Sequence, residues 1–251
     1  MTIVGFALLT YGQLYARKPV LKLRLMLSRQ FASVVVMALA LGMVMYGSTY
    51  VIPQFLAIIS DYNALQTGLV IFWMGVPAFL LMPVLPFMIR RIHIRMAVGT
   101  GMFVMALSCF VTINLTADSG GGVFTESQFL RGIGMILTMM FLNQATVASV
   151  AKEDAGDASG IFNAARNLGG SFALAGLASF QDQRLWHHSR RMEETLNGNS
   201  LRLQEYLDHM AISLGSPQAA LEMLSGIIRR DAFVMTYNDV FFAMGTITLA
   251  T

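Results

Sequence analysis

Charge is what this sequence has least of. Its 251 residues include 17 Lys and Arg and 14 Asp and Glu, 12% of the chain. Soluble domains carry roughly 25%, so there is too little charge here to clothe a water-facing surface. Cysteine is nearly absent. Cys109 is the single one, which excludes an intramolecular disulfide, and it reads as a small apolar filler. Histidine is equally sparse, with four in all and none within a long apolar stretch. No pair of acids lies within one such stretch either. A membrane-embedded enzyme needs a nucleophile with its base, or a metal cluster, at membrane depth, so no enzymatic activity, cofactor or metal is expected. His187 and His188 are adjacent and point in different directions on a helix, which argues against a metal site there. A basic stretch before the first apolar residues is also lacking, so a signal peptide is not indicated.

What fills the chain instead is apolar sequence. It is 55% hydrophobic with a mean hydropathy of +0.61, and residues 30–60, 62–89 and 96–117 contain no charge. A helix crossing the hydrocarbon core needs about 20 predominantly apolar residues. Seven apolar segments stand out, approximately 1–16, 31–59, 64–89, 96–116, 126–149, 157–181 and 233–251. Spans must be helices or closed barrels because backbone groups cannot go unpaired in lipid. Barrel strands alternate in polarity, and these segments do not. The fold class expected is therefore all-α, a polytopic transmembrane helix bundle. The nineteen methionines suit adaptable helix packing. The first segment is short, and the last ends without a basic or aromatic flank, so a piece of a longer chain is expected.

The loops alternate in charge. Arg17, Lys18, Lys22, Arg24 and Arg29 precede the second segment, Arg90, Arg91 and Arg95 follow the third, and Lys152 follows the fifth. The short loops Asp61–Asn63 and Ala117–Thr125 contain no basic residue. Basic loops face the cytoplasm, so the second segment is expected to run outward and the sixth to end outside. The pI of 9.2 is topological, because the basic residues sit at helix ends rather than on a folded face, and no nucleic-acid partner is expected.

Residues 182–232 are the one sizeable soluble stretch and are expected to form a long extracytoplasmic loop. Leu203, Tyr206, Leu207, Met210 and Leu214 recur at helical spacing, which predicts an amphipathic helix. Ser216-Pro217 predicts a second start, with a short helix ending near Ile228. The stretch is read as a lid on the outer helix ends or as a docking surface for a periplasmic partner.

Away from their end residues, the segments hold three formal charges, Arg131, Arg166 and Asp239. A charge in a span is costly and usually faces the bundle interior. Arg131 and Asp239 lie near outer ends, where Arg131 is placed to snorkel. Arg166 is flanked by Asn163 and Asn167. The sixth segment is rich in small residues, among them Gly160, Gly169, Gly170 and Gly176, whose spacing permits close helix approach in lipid. Tyr46, Tyr50 and Gln54 form a four-residue stripe on the second segment, suited either to a cavity for amphipathic cations or to packing and an interfacial belt. Thr138 and Asn143 add polar groups on the fifth. The fourth segment is almost wholly apolar and is expected to face lipid.

At SGIFNAARNLGGS (Ser159–Ser171) the chain resembles the EmrB-type fourteen-helix drug:proton antiporters of the major facilitator superfamily. The strings YVIPQFLAIISDYNALQTGLV (Tyr50–Val70), FLRGIGM (Phe129–Met135) and YNDVFF (Tyr237–Phe242) resemble the same family in the same order. The stretch LPFMIRRIHIR (Leu85–Arg95) departs from the family's glycine-aspartate-arginine loop, with Pro86 near the glycine and Arg90 near the aspartate.

The resemblance implies the C-terminal half of such a transporter. Residues 1–30 would be the end of a linker transmembrane helix and a basic cytoplasmic loop, and residues 31–251 a six-helix C-terminal domain. It implies inverted three-helix repeats and a midplane cavity between two domains. The cavity wall would be Tyr46, Tyr50, Gln54, Thr138, Asn143 and Asn163. Arg131, Arg166, Asn167 and Asp239 would serve the gate or the packing. The implied partners are the missing N-terminal half, the lipid bilayer of the bacterial inner membrane, a drug-like small molecule and a periplasmic membrane-fusion adaptor. Proton-coupling residues would lie in the absent half. The alternatives are a transporter half for a lipid, siderophore or other metabolite, and a non-transporting interaction subunit.

Overall fold

The computed structural model describes residues 22–195 and 201–251; the expected first segment, 1–16, lies outside them. Among the described residues the long elements are all helices. They are α1 (Arg29–Ile58), α2 (Ala64–Leu81), α3 (Leu85–Arg91), α4 (Ile94–Phe110), α5 (Gly121–Ala148), α6 (Ala155–Thr195), α7 (Leu201–Leu214) and α8 (Pro217–Leu249). The all-α bundle read from the apolar runs is what the chain forms. By length and apolar composition, α1, α2 and α8 are each able to cross a membrane. α5 and α6, of 28 and 41 residues, are interrupted by more polar residues.

Local signals explain where helices start. The Ser28 hydroxyl accepts from the Phe31 amide to cap α1, and Asn63 with Gln66 forms a reciprocal capping box on α2. The 64–89 segment is not one helix. Pro83 has no amide hydrogen to continue the ladder, and Pro86 sits in the first turn of a new helix, so α2 ends at Leu81 and α3 begins at Leu85.

The stretch 182–232 also departs from expectation. α6 continues through the 182 boundary to Thr195, a 41-residue helix about 60 Å long, twice the hydrocarbon thickness. The amphipathic helix at 203–214 is present as α7. The helix beginning at Pro217 does not stop near Ile228 but runs unbroken to Leu249. Most of 182–232 is thus extended helix, because α6 carries no proline, α8 carries none after its first residue, and Gly226 of α8 does not break the helix.

Glycines set the closest crossings. α1 lies against α6 through Gly42, Gly169 and Gly170, α4 against α5 through Gly101 and Gly134, and α2 against α5 through Gly132. Without a strong hydrophobic drive between helices in lipid, such backbone approach is what allows tight packing. Gly176 faces open space, so only part of the small-residue run of α6 is a contact seam. An aromatic core joins three helices. Phe55 of α1 packs edge-on to Phe124 of α5 and Tyr237 of α8, with centroids 5.3 and 5.2 Å apart.

The apolar helices differ in how much they bury. α4 buries Ala97, Gly101, Met105, Ala106 and Cys109 and exposes only its other face. The peripheral helix is α2, which buries only Thr67, Val70 and Pro77. Apolarity alone could not separate a face turned to protein from one turned to lipid.

The ends of the bundle segregate as the charge pattern requires. The Arg230 Nη2 donates to the carbonyls of Ile59 and Ala117, at 2.8 and 3.0 Å, gathering both base-free loops at one end. Asn238 exchanges two hydrogen bonds with the backbone of Leu115 in the same place. At the basic end Lys22 pairs with Asp154.

Candidate functional site: the polar face of α1 and α6

The Gly170 approach brings α6 onto the ring of Tyr46, and this fixes the register of two polar rows. On α6, Asn163, Asn167 and Ser171 fall at four-residue intervals on the exposed side. Tyr46 donates its hydroxyl hydrogen to Asn167 Oδ1 at 3.0 Å. Nearer the base-free end, Gln54 donates to the Tyr50 hydroxyl at 3.4 Å and accepts from Gln181 Nε2 at 3.1 Å. Asn163 Nδ2 donates to the carbonyl of Ser159. A phenol and amide ladder therefore runs along the α1–α6 seam. Gln181 belongs to it and was missed in the sequence, although it continues the α6 row at helical spacing.

Arg166 lies at the edge of this face. Its backbone carbonyl packs on Gly42, while its side chain crosses toward α5, with Nη1 3.5 Å from Met139 Sδ. A thioether is a weak acceptor, and the buried Arg166 Nε has no hydrogen-bond partner among the described residues. Asn143 stands one turn beyond Met139 on α5, on the same side of that helix. It is half-buried. The adjacent Gln144 has a buried Oε1 without a hydrogen-bond partner among the described residues.

Three expected residues lie elsewhere. Thr138 is fully buried at the α4–α5 crossing, facing Gly101; it is not on the polar face. Arg131 does not snorkel. It is 1% exposed; its Nη1 donates to Gln128 Oε1 at 2.8 Å, the Cys109 thiol of α4 lies beside it, and Nε and Nη2 have no hydrogen-bond partner among the described residues. Its spacing from the end of α5 suggested an escape to water that its helix face denies. Asp239 joins α8 to α6, with Oδ2 2.7 Å from His188 Nε2 and 3.5 Å from Arg184 Nε. Because α6 was expected to end near residue 181, this three-residue tie could not be foreseen.

Arg230 and Asn238 were also missed. Nothing in their spacing marks them, since their partners are loop backbone groups distant in sequence.

Residues 5–174 match the Major Facilitator Superfamily. The chain is 26% identical over 239 residues to the colistin resistance protein EmrB of Acinetobacter baumannii, covering 93% of this chain and 47% of that protein. It is 23% identical over 252 residues to the multidrug export protein EmrB of Escherichia coli, covering 99% and 49%. It is 23% identical over 232 residues to the fatty acid resistance protein FarB of Neisseria gonorrhoeae, covering 92% and 46%. The chain thus spans about half the length of these curated relatives.

Proposed function

The chain belongs to the Major Facilitator Superfamily, and from that premise we propose that it is the C-terminal half of a proton-coupled exporter of amphipathic compounds working by alternating access. The observation that carries the reading is continuous similarity, over nearly the whole chain, to proteins named for multidrug export and colistin resistance. The ladder of half-buried Tyr46 and Gln54 with exposed Asn163 and Asn167 supports it. In lipid, an uncovered row of amides is costly, so this face turns to a water-filled cavity shared with an N-terminal half. The glycine seam behind it makes α1 and α6 a stiff wall that moves as one body.

In this reading the base-free end faces outward from the bacterial inner membrane. The extended α6, α7 and the start of α8 form a helical platform there, a seat for a membrane-fusion adaptor. One relative's name, a fatty acid resistance protein, favours a second reading in which the substrate is lipid-like.

The test is ethidium efflux from cells lacking their own pumps, comparing this chain alone with the chain joined to an EmrB-type N-terminal half. The expected result is efflux only by the joined protein, abolished by a protonophore. Efflux by the chain alone would overturn the half-transporter reading, and its absence from both would remove the drug-export assignment.

A further inference from the structure

A cleft of about 910 Å³ opens at the basic end of the bundle, among the ends of α1, α4, α5 and α8. It is separate from the polar face, since α6 supplies none of its walls and Tyr46 does not line it. In α1 the walls run from Arg29 to Met37, and in α4 from Ile94 to Phe103. At 1.5 Å per residue the cleft reaches about 12–14 Å along the bundle, close to one leaflet's share of a hydrocarbon core about 30 Å thick. Its chemistry is graded. Arg29, Gln30, Arg95 and Ser149 stand at the mouth, while Val34, Met37, Met102 and Leu142 make the deeper walls. No acid lines it. Among the described residues, neither the Arg29 nor the Arg95 guanidinium has an ion-pair or hydrogen-bond partner. Glu153 and Asp154 belong to the same end, but neither is a wall of the cleft, and Asp154 is paired with Lys22. Phe103 of α4 and Leu249 of α8 line the cleft and are 57% and 53% exposed, which leaves that flank open to a chain entering from the side.

Two unpaired cations over an apolar trough are complementary to a negative head with a hydrocarbon tail. We propose that this cleft binds an anionic phospholipid of the surrounding leaflet, with its phosphodiester at Arg29 and Arg95 and one acyl chain lying in the trough toward Met102. An arginine fork donates two parallel bonds to phosphate oxygens, and basic pockets between membrane helices on the cytoplasmic side favour anionic heads. The acyl chain makes dispersion contacts with Met37, Met102 and Leu142. Bound there, the lipid ties the ends of four helices together from within. The proposal goes beyond the transport reading and does not depend on which compound the protein carries.

The experiment gives the chain, purified in a mild non-ionic detergent, dioleoylphosphatidylglycerol and dioleoylphosphatidylcholine in equal amount. Native mass spectrometry counts the lipid that stays bound. The parent is expected to keep a single phosphatidylglycerol and to prefer it about tenfold, and Arg29→Gln with Arg95→Gln to abolish that preference. Gly99→Leu tests the trough. Gly99 lines the cleft, and nothing lies within 4 Å of a side chain begun there, so the leucine occupies the trough without straining the fold and should weaken phosphatidylglycerol about tenfold. Arg90→Gln with Arg91→Gln removes the same charge from the same end outside the cleft, and should leave the preference within about twofold. An equal loss from that control pair would mean a general attraction of the basic end and would overturn the proposal. Gly99→Leu binding like the parent would put the lipid elsewhere and overturn it too. A parent that keeps neither lipid would give the cleft to another part of the same protein. Displacement of phosphatidylglycerol by glycerol phosphate alone would make it a site for a soluble phosphate ester, and the lipid proposal would fall.

Discussion

A methyl group on Gly42 would stand 1.9 Å from the carbonyl oxygen of Arg166. Both partners are helix backbone, so neither yields. Gly42→Ala is therefore expected to separate α1 from α6, with a loss of roughly 2–3 kcal/mol or more, at the upper end of overpacking. Gly176→Ala is the control. Nothing lies within 4 Å of that position, and losing a helical glycine there should be neutral or stabilise by about 0.5–1 kcal/mol. Cys109 supplies the readout. It is fully buried and is the chain's only thiol, so a maleimide dye labels it as the bundle opens on heating. Equal melting of the two variants would refute the glycine seam.

The same crossing shows what could be read in the sequence and what could not. Small residues at four-residue spacing marked α6 as a close-packing helix, and Gly169 and Gly170 do meet α1. Spacing could not say which of the small residues touch and which, like Gly176, face outward. Tyr46, Tyr50, Gln54 and Asn163 were legible as a polar row because each breaks an apolar run, and a polar group in a span needs a reason. Thr138 broke the same rule for a different reason, as it fills a helix crossing. Arg230, Asn238 and Gln181 bind partners 113 to 171, 123 and 127 residues away, a relation that no local pattern encodes. The breaks at Pro83 and Pro86 were visible as residues, yet the length of the apolar run concealed them.

Arg230 fastens the two base-free loops with one guanidinium. Arg230→Ala frees the carbonyls of Ile59 and Ala117 and is expected to cost about 1–3 kcal/mol, the range for hydrogen bonds to a charged donor. Hydrogen exchange should rise in both 59–63 and 111–120. The neighbouring Arg229 only caps the Phe233 ring at 5.7 Å, so Arg229→Ala should cost less than about 1 kcal/mol. Unchanged exchange in either loop after Arg230→Ala would break the claim that one residue holds both.

At the opposite end, the Asp154 carboxylate, by hydrogen bond and charge, holds the Lys22 ammonium above its usual value of 10.5. A raised folded-state value gives stability that is fully present below pH 10.5 and is lost as pH rises through the shifted value. The difference in melting between the parent and Asp154→Asn should therefore be constant across neutral pH and shrink only in strong alkali. The Lys22 side chain is about half exposed to solvent, so the difference will be small and will fall further with salt. A difference that instead vanished near neutral pH would point to another group.

Arg131 offers a sharper separation of packing from charge. It is buried beside Gln128, whose Oε1 takes its Nη1 at 2.8 Å, and its two other nitrogens have no hydrogen-bond partner among the described residues. Removing the acceptor while keeping the cation should hurt most. Gln128→Leu is expected to cost about 3 kcal/mol or more, because a buried charge loses its amide acceptor and keeps only the weakly polar Cys109 thiol beside it. Arg131→Met removes the charge but leaves one amide oxygen unpaired, at about 1–3 kcal/mol. The double variant removes both needs and fills the space with apolar atoms, so it should recover most of the Gln128→Leu loss. The three melting curves of the chain in nanodiscs decide this. A double variant as unstable as Gln128→Leu would mean that the Arg131 cation is required where it lies, through a contact other than Gln128.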